Sequence, residues 1–311
     1  MGKGIGFGKV ILFNEHFVVY GVPSIVSAID KATIAVVERF DGEGWVLEDE
    51  RPATPGYKEE KLEQQRESIE RILKAAGLDA TKNPIKIWFG GDLVAASGIG
   101  ASAASCVALA RALSDEFGLQ LSDERINELA YEGERAYHGT PSGVDNTAAT
   151  YGGLIWFVRG QPPLFERIEL KEPVEVVMGN TGIVANTAAA VAGVRERKEK
   201  HPEKYAKLFK EAEELAYRAR EALEGFDLKA VGELMDKNHE QLRAIGVSCE
   251  ELDHLVELAR DHGALGAKLT GGGLGGYMVA LTPGKELQEE VARAIEREGF
   301  EVLRTRIGVR P

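Results

Sequence analysis

A glycine- and serine-rich segment between an apolar strand and a helix constrains the fold of this chain more than any other feature. The run IKIWFGG at residues 85–91 alternates apolar and other residues and ends at two glycines, which predicts a strand. The segment AASGIGASAASCVAL follows at residues 95–109, and the apolar residues after it recur at helical spacing. Such a junction is typical of a tight turn packed on a sheet, or of a loop that binds a phosphate at a helix N-terminus. Both interpretations are open at this stage.

Strand-like and helix-like segments are mixed along the whole chain. The runs KVILF, TIAVVERF, LIWFV, VEVVMGN and FEVLRTRI predict strands. The run KEEKLEQQRESIERILKAAG predicts a helix whose buried stripe contains Leu62, Ile69, Ile72 and Leu73. Further helices are expected from Ser122, within residues 202–262 and at ELQEEVARAIEREG, and HGTPSGVDNTAATYGG is expected to be a loop. Because the order lacks strict βαβ repetition, it predicts an α+β fold.

The length of the chain predicts two domains, since 311 residues are long for a single one. Pro162 and Pro163 mark the expected junction. We therefore expect one domain at residues 1–165 and a second at residues 166–311.

The overall charge argues against a nucleic-acid partner. The formal net charge is −12, although a few local cations and backbone amides can still hold a phosphate.

Cys106 and Cys249 are the two cysteines, too few for a disulfide framework and without zinc-ligand spacing. The first residues do not have the pattern of a signal peptide, and no run of eighteen apolar residues predicts a membrane span. A cytoplasmic protein with no membrane partner is expected.

Several polar residues have types and surroundings suited to phosphoryl transfer. The segment SGIGASAA offers glycines for close backbone approach and the hydroxyls of Ser97 and Ser102, but it lacks the lysine of the common nucleotide loop. Glu134 and Asp145 supply the carboxylates that a Mg²⁺ ion and an attacking hydroxyl require. Each residue also has a structural interpretation: packing for the loop, a solvated helix face for Glu134, and an Asx turn for Asp145.

Three residues near the N-terminus and a second glycine run complete the candidates. Lys9 begins an apolar strand, and Glu15 and His16 follow it, although surface and core roles are the usual ones for such residues. The run GGGLGG at residues 271–276 is either a bulged entry to a strand or a second loop beside phosphates. The coincidence of these signals in one chain favours the functional interpretation.

Four segments together resemble the ordered motifs of the GHMP small-molecule kinases, and within that superfamily the mevalonate kinases. They are GKVILFNEHFVVYGVPSIVSAI, SGIGASAASCVALARAL, YEGERAYHGTPSGVDNTAATYGG and GAKLTGGGLGGYMVALT, and GNTGIVANT extends the match. The resemblance implies an α+β, two-domain fold: an N-terminal domain with a left-handed βαβ unit and a ferredoxin-like C-terminal domain. It also implies an ATP-dependent, Mg²⁺-requiring kinase that phosphorylates the 5-hydroxyl of mevalonate, a small-molecule substrate.

The resemblance implies a role for each matching residue. Asp145 corresponds to the catalytic aspartate, and Lys9 to the lysine that stabilises the reacting hydroxyl. Ser102 and Glu134 match the Mg²⁺ ligands. The substrate-binding positions are Lys9, Glu15, His16, Asp145 and Thr187. The loop around the nucleotide phosphates matches Ser97, Gly98, Ile99, Gly100, Ala101, Ser102, Ala103 and Ala104.

The chain departs from the family pattern at four positions. Asn14 replaces a frequent glycine, Ala101 replaces the first of two serines, Leu274 interrupts the glycine run, and Tyr277 replaces a small residue. The alternatives to a mevalonate kinase are another kinase of the superfamily, acting on phosphomevalonate or a sugar, and a non-catalytic sensor of the same fold. The oligomeric state is open, a homodimer being one alternative.

Overall fold

The structure, a computed structural model, describes residues 1–96, 98–160 and 162–309. Its contacts group into two compact units. The first contains residues 1–9, 30–96 and 100–152, and the second contains the described residues within 10–29, 97–99 and 153–311. The units are interleaved in sequence because the first two strands contribute to both, and the expected domain division at residue 165 stays a prediction.

The described residues form ten strands, nine α-helices and a short 3-10 helix at Phe17–Tyr20. The strands are β1 (Gly2–Phe13), β2 (Ser24–Arg39), β3 (Trp45–Asp49), β4 (Ile85–Gly91), β5 (Leu154–Val158), β6 (Leu164–Ile168), β7 (Val174–Asn180), β8 (Gly266–Leu269), β9 (Tyr277–Leu281) and β10 (Glu301–Ile307). The helices are α1 (Tyr57–Ala75), α2 (Ala101–Phe117), α3 (Asp123–His138), α4 (Val144–Tyr151), α5 (Thr187–Lys200), α6 (Pro202–Glu224), α7 (Leu228–Ala244), α8 (Glu250–Asp261) and α9 (Lys285–Arg297).

The first unit contains a parallel βαβ arrangement. Strand β4 pairs in parallel with β3 and antiparallel with residues 33–39 of β2. Because α1 connects β3 to β4, these three elements form the βαβ unit. Helices α1, α2 and α3 pack against one another around an apolar core that includes side chains of β2, β4 and α2. The left-handedness that the resemblance implies for this connection stays a prediction.

Alternating glycines on β1 let that strand lie directly against helix α2. A Cβ atom on Gly2, Gly4 or Gly6 would come within 2.3 Å of a backbone carbonyl oxygen of α2. Only glycine permits this approach, and the nearest atoms of α2 belong to Ala104, Ala108 and Ala112, with Arg111 and Glu116 toward the end of the helix. The packing fixes the start of α2 relative to the residues that follow in β1, including Lys9.

The second unit contains a four-stranded antiparallel sheet in the order β10-β7-β9-β8. Counted along the chain, these are the fourth, first, third and second strands, with α5–α8 inserted between the first two and α9 between the last two. This is the ferredoxin-like arrangement, so that prediction is confirmed. Helices α8 and α9 pack on the sheet around an apolar core.

The structure corrects two expectations about local structure. The segment expected to be a loop contains helix α4, which begins after Gly143 at φ 89°; Thr147 Oγ1 donates to the carbonyl of Gly143, 2.7 Å, one turn back. Leu62 is 41% exposed rather than buried. At that end of α1 the inward positions belong to Tyr57 and Gln65, and the Gln65 amide donates to Asp49.

In the part of the chain that the structure describes, no helix combines the length and apolar character needed to cross a membrane.

Candidate active site

Lys9 and Asp145 form an ion pair in the first unit. Lys9 lies on β1, Asp145 lies in the first turn of α4, and Lys9 Nζ is 3.1 Å from Asp145 Oδ1. The lysine side chain is 2% exposed and the aspartate side chain 26% exposed. A buried cation therefore orients a carboxylate that solvent, or a substrate, can still reach. The position of Asp145 in a helix replaces the Asx-turn interpretation of this residue.

Gly100 provides the space in which the Lys9 side chain lies. It precedes α2 with a φ of 72°, a left-handed conformation that favours glycine. A Cβ atom at this position would lie 2.6 Å from Lys9 Cγ and 3.1 Å from Lys9 Cε. The loop glycine that the sequence associates with phosphates thus also determines where Lys9 can lie.

The predicted phosphate loop leads directly into the first turn of α2. The amide of Ala104 donates to the carbonyl of Gly100, 2.9 Å, as the first bond of the helix. By helix geometry the amides before Ala104 have no acceptor within the helix, and the helix dipole favours an anion at this end. Ser97, the first residue predicted for this loop, lies outside the described residues. Gly98 and Ile99 belong to the second unit, while Gly100, Ala101, Ser102, Ala103 and Ala104 belong to the first.

Glu134 is a buried carboxylate with the features of a metal ligand. Its side chain is 1% exposed, Oε2 lies 3.6 Å from His138 Nε2, and Oε1 has no hydrogen-bond partner among the described residues. Burial raises the pKa of Glu134; the charge of Asp145 acts in the same direction, while His138 and a hydrogen bond from Ser102 oppose the rise. A cation beside Oε1 would compensate this buried charge.

The donor set around Glu134 fits Mg²⁺. Within residues 1–96, 98–160 and 162–309 no three His, Cys, Asp or Glu side chains cluster as an all-protein metal cage. Mg²⁺ characteristically takes one or two protein oxygen ligands and completes its shell with water and substrate phosphates. The pair Ser102 and Glu134 meets that requirement, and the solvated-surface interpretation of Glu134 is wrong.

A buried ion pair that the sequence analysis did not identify lies next to the start of α2. Arg51 Nη2 is 2.6 Å from Asp49 Oδ2, and Arg51 Nη1 donates to the carbonyl of Ala101, 3.4 Å. Burial of Asp49 opposes its ionisation, but hydrogen bonds from Arg51 and Gln65 outweigh that effect and lower its pKa to about 2. Arg51 also lies over the Phe89 ring, 5.1 Å from its centroid. No local sequence pattern marks this pair.

In the second unit, His16 and Thr187 both lie at Gly272. His16 Nε2 is 2.9 Å from the carbonyl oxygen of Gly272, so this nitrogen carries the proton and donates. Burial is the main cause that lowers the pKa of His16 to about 4, and the ring is therefore neutral at neutral pH. A Cβ atom on Gly272 would lie 2.3 Å from Thr187 Oγ1. Two of the predicted substrate-binding residues thus share one backbone neighbour.

Glu15 forms a buried ion pair with Lys268 of β8. The side chains are 1% and 0% exposed respectively, and Lys268 Nζ also donates to the carbonyl of Leu269, 2.7 Å. Lys268 belongs to a segment that carries the family resemblance, yet no spacing rule links it to a residue 253 positions earlier.

Asn14 adopts a left-handed conformation, φ 70°, a backbone geometry that favours glycine. Its backbone N–H donates to Asn238 Oδ1, 3.1 Å, and Asn238 Nδ2 donates back to Asn14 Oδ1, 3.0 Å. Asn14 Nδ2 donates to the carbonyls of Pro23 and Ala212, 2.8 and 2.9 Å. The side chain therefore holds the turn that carries Glu15.

The second glycine run packs against Gly98 of the first. A Cβ atom on Gly271 would lie 2.5 Å from Gly98 Cα, and Gly98 itself has a φ of 98°. Leu274, which interrupts the run, adopts a left-handed conformation at φ 54° and is 41% exposed. Tyr277 is buried at the start of β9.

Comparisons with known proteins show the family to which the chain belongs. The sequence model of the GHMP kinases N terminal domain matches residues 65–153, and that of GHMP kinases C terminal matches residues 219–301. The mevalonate kinase of Pyrococcus abyssi is 36% identical, over 96% of this chain and 93% of its own. The crystal structure of L. major mevalonate kinase in complex with R-mevalonate has 41% identity and a TM-score of 0.92, covering 99% of this chain and 96% of that one.

A third comparison extends the likeness to a more distant relative. The Methanococcus jannaschii mevalonate kinase structure is 25% identical with a TM-score of 0.81, covering 98% of both chains. The segments that carry the resemblance thus belong to a likeness over nearly the whole chain. The chain is a member of the GHMP kinases and, within them, of the mevalonate kinase family.

Proposed function

We propose that this protein transfers the γ-phosphoryl group of ATP to the 5-hydroxyl of (R)-mevalonate, giving 5-phosphomevalonate and ADP in isoprenoid synthesis. The observation that carries the proposal is the Lys9–Asp145 pair, a buried ammonium 3.1 Å from a partly exposed carboxylate. The near full-length likeness to mevalonate kinases supports the choice of substrate.

Asp145 and Lys9 are the proposed catalytic residues. The Asp145 carboxylate accepts a hydrogen bond from the 5-hydroxyl and orients the oxygen that attacks phosphorus. Lys9, fixed by burial and by the space at Gly100, stabilises the negative charge that develops on this oxygen. Because phosphoryl transfer proceeds through a loose transition state, positioning and electrostatics contribute more than removal of the proton.

The start of α2 is the proposed nucleotide-phosphate site. Backbone amides in the first turn of α2, at Ala101, Ser102 and Ala103, bind phosphate oxygens together with the dipole of the helix. Ser102 and Glu134 are the proposed Mg²⁺ ligands, and the bound ion would neutralise charge on the transferring group. The Arg51–Asp49 pair holds the first residue of α2 through the Ala101 carbonyl.

Glu15, His16 and Thr187 are proposed to bind the acid substrate. Glu15 is held by Lys268, and the neutral His16 ring retains Nδ1 as an acceptor because Nε2 donates to Gly272. We further propose that the protein is cytoplasmic and has no nucleic-acid or membrane partner. Sedimentation analysis would determine its oligomeric state, for which a homodimer is one alternative.

A coupled assay of ADP release tests the proposed function. The purified protein is given ATP and Mg²⁺ with (R)-mevalonate, galactose, homoserine or phosphomevalonate. We expect release with mevalonate and little with the other three. Equal or faster turnover of any of the three would assign the chain to another activity of the superfamily, and no turnover with any substrate would favour a sensor.

A further inference from the structure

The stability of the fold does not by itself explain the buried charge of Lys268. A buried ion pair seldom stabilises a protein more than apolar side chains of the same volume would. The ammonium of Lys268 and the carboxylate of Glu15 are nevertheless both excluded from solvent. An ionised carboxylate has one property that apolar groups lack, since it accepts strong hydrogen bonds.

The surroundings of Lys268 fix its position. Its ammonium donates to the Leu269 carbonyl, and the Leu269 amide in turn donates to His239 Nδ1, 3.3 Å. His239 Nε2 lies 3.1 Å from Asp253 Oδ1, so the ring bridges β8 and α8. The backbone that follows Lys268 is therefore tied through His239 to helices of the second unit.

The turn that carries Glu15 is fixed independently. Asn14 precedes Glu15 and is bound reciprocally by Asn238, and His16 follows it and donates to Gly272. The carboxylate of Glu15 consequently has little freedom to choose another partner. Without Lys268 it would be a buried charge that lacks its main compensation.

We propose that Lys268 is a positioning residue that keeps Glu15 ionised and oriented, so that Glu15 accepts a hydrogen bond from a hydroxyl of the acid substrate. The ammonium also offsets the charge of Glu15, which would otherwise repel the carboxylate of that substrate. The inference rests on the proposed function. The inference adds Lys268 to the proposed site as a residue that contacts Glu15 rather than the reacting atoms.

The test uses Lys268→Met, Glu15→Gln/Lys268→Met and a matched control. The control is Arg260→Met, which removes a cation 2.8 Å from Asp236 that also donates to the carbonyl of Ala267, next to Lys268. KM for (R)-mevalonate, KM for ATP, kcat and the melting temperature are measured for each protein.

Lys268→Met is expected to raise KM for mevalonate about tenfold or more, the loss typical of a hydrogen bond to a charged group, and to leave KM for ATP within about twofold. It should also lower the melting temperature, because a buried carboxylate loses its partner. The double variant contains neither charge, so its melting temperature should recover while KM for mevalonate stays raised. Arg260→Met should leave both KM values unchanged.

Recovery of KM together with stability in the double variant would show that Lys268 acts only on the fold and would overturn the inference. An unchanged KM in Lys268→Met, or an equal rise in Arg260→Met, would do the same. If Lys268→Met does not fold, Lys268→Gln decides, because its amide can still donate to Glu15 but lacks the charge: a raised KM for mevalonate with an unchanged KM for ATP supports the inference, and a wild-type KM for mevalonate contradicts it. Absence of turnover in the wild type would instead contradict the proposed function.

Discussion

Lys9 Nζ lies 3.1 Å from Asp145 Oδ1, with the cation buried and the carboxylate partly exposed. The asymmetry matters because the lysine is held in place by the protein, whereas the aspartate has a face open to a ligand. Strand β1 supplies one residue and helix α4 the other, and the glycines of β1 set how closely the strand approaches α2. The proposed catalytic pair therefore depends on backbone packing as well as on its own charges.

Lys9→Met should lower kcat by about 100-fold or more, the scale of losing one electrostatic stabiliser of the transition state. Methionine fills a similar volume beside Gly100, so the protein should stay folded. Lys31→Met is the control, since Lys31 pairs with Asp92 at 3.0 Å on the surface of the same unit. Steady-state ADP release measures both. Equal activities of the two variants would remove Lys9 from the proposed mechanism.

Gly100→Ala should lower kcat and raise KM for ATP, because the new Cβ displaces Lys9 and strains the start of α2. Gly77→Ala is the matched control: Gly77 has the same φ of 72°, but nothing lies within 4 Å of its added Cβ. Both variants bear the same backbone strain, about 1–2 kcal/mol, which a melting curve measures in Gly77→Ala; Gly100→Ala bears the displacement of Lys9 in addition. A kinetic defect confined to Gly100→Ala is expected, and one shared by both variants would attribute the effect to stability.

Glu134→Gln should raise the melting temperature of the metal-free protein at pH 7. It should also lower kcat/KM by about 100-fold or more, because the variant loses a charge-neutralising ion. Burial raises the folded-state pKa of Glu134 above 4.5, its ordinary value. Protonation of this group therefore stabilises the folded chain at low pH, and that stabilisation is lost as the pH rises through the raised pKa. The amide avoids the buried charge.

The control for Glu134 is Glu132→Gln, on the same helix but at the surface beside Arg135. Thermal melts with and without MgATP separate the two roles of Glu134. MgATP should stabilise the wild type and the Glu132 variant more than the Glu134 variant. Equal stabilisation of all three proteins would argue against a metal ligand at residue 134.

Asn14→Gly should destabilise the protein by about 1–3 kcal/mol, because buried carbonyls and Asn238 lose their partners. Asn14→Ala should destabilise it by about 1–2 kcal/mol more, since alanine is strained at a φ of 70° whereas glycine is not. Urea unfolding of both variants measures the difference. A more stable alanine variant would contradict the conformational explanation of this departure from the family.

The sequence predicts most of the elements of the fold because their periodicities are strong, but tertiary packing decides the exceptions. Glycines at alternate positions of β1 have low strand propensity, and only the neighbouring helix α2 explains them. Asp145 was expected in a loop because its surroundings are rich in turn residues, yet a left-handed Gly143 allows a helix to start there. Local propensity predicts neither the glycines of β1 nor the helix that contains Asp145.

In the candidate site, too, local sequence patterns identify some residues and tertiary contacts alone identify the others. The motif residues Lys9, Asp145 and Glu134 could be selected from the sequence because their family is recognisable, and the structure places all three in one unit. Arg51, which donates to the Ala101 carbonyl, and Lys268, which pairs with Glu15, could not be selected. Each acts through a contact between distant positions, which one sequence without structure does not reveal.

Asp145→Asn tests the central claim most directly, because the amide keeps the shape of the carboxylate and removes its charge. The measurement is kcat for mevalonate-dependent ADP release, with KM for ATP, beside Asp123→Asn, a first-turn aspartate paired with Arg111 on the surface. We predict that kcat falls about 100-fold or more in Asp145→Asn, which is the scale of losing a positioned acid–base group. KM for ATP in this variant should change by less than about twofold. Asp123→Asn should behave as the wild type. A near-normal kcat in Asp145→Asn would contradict the account.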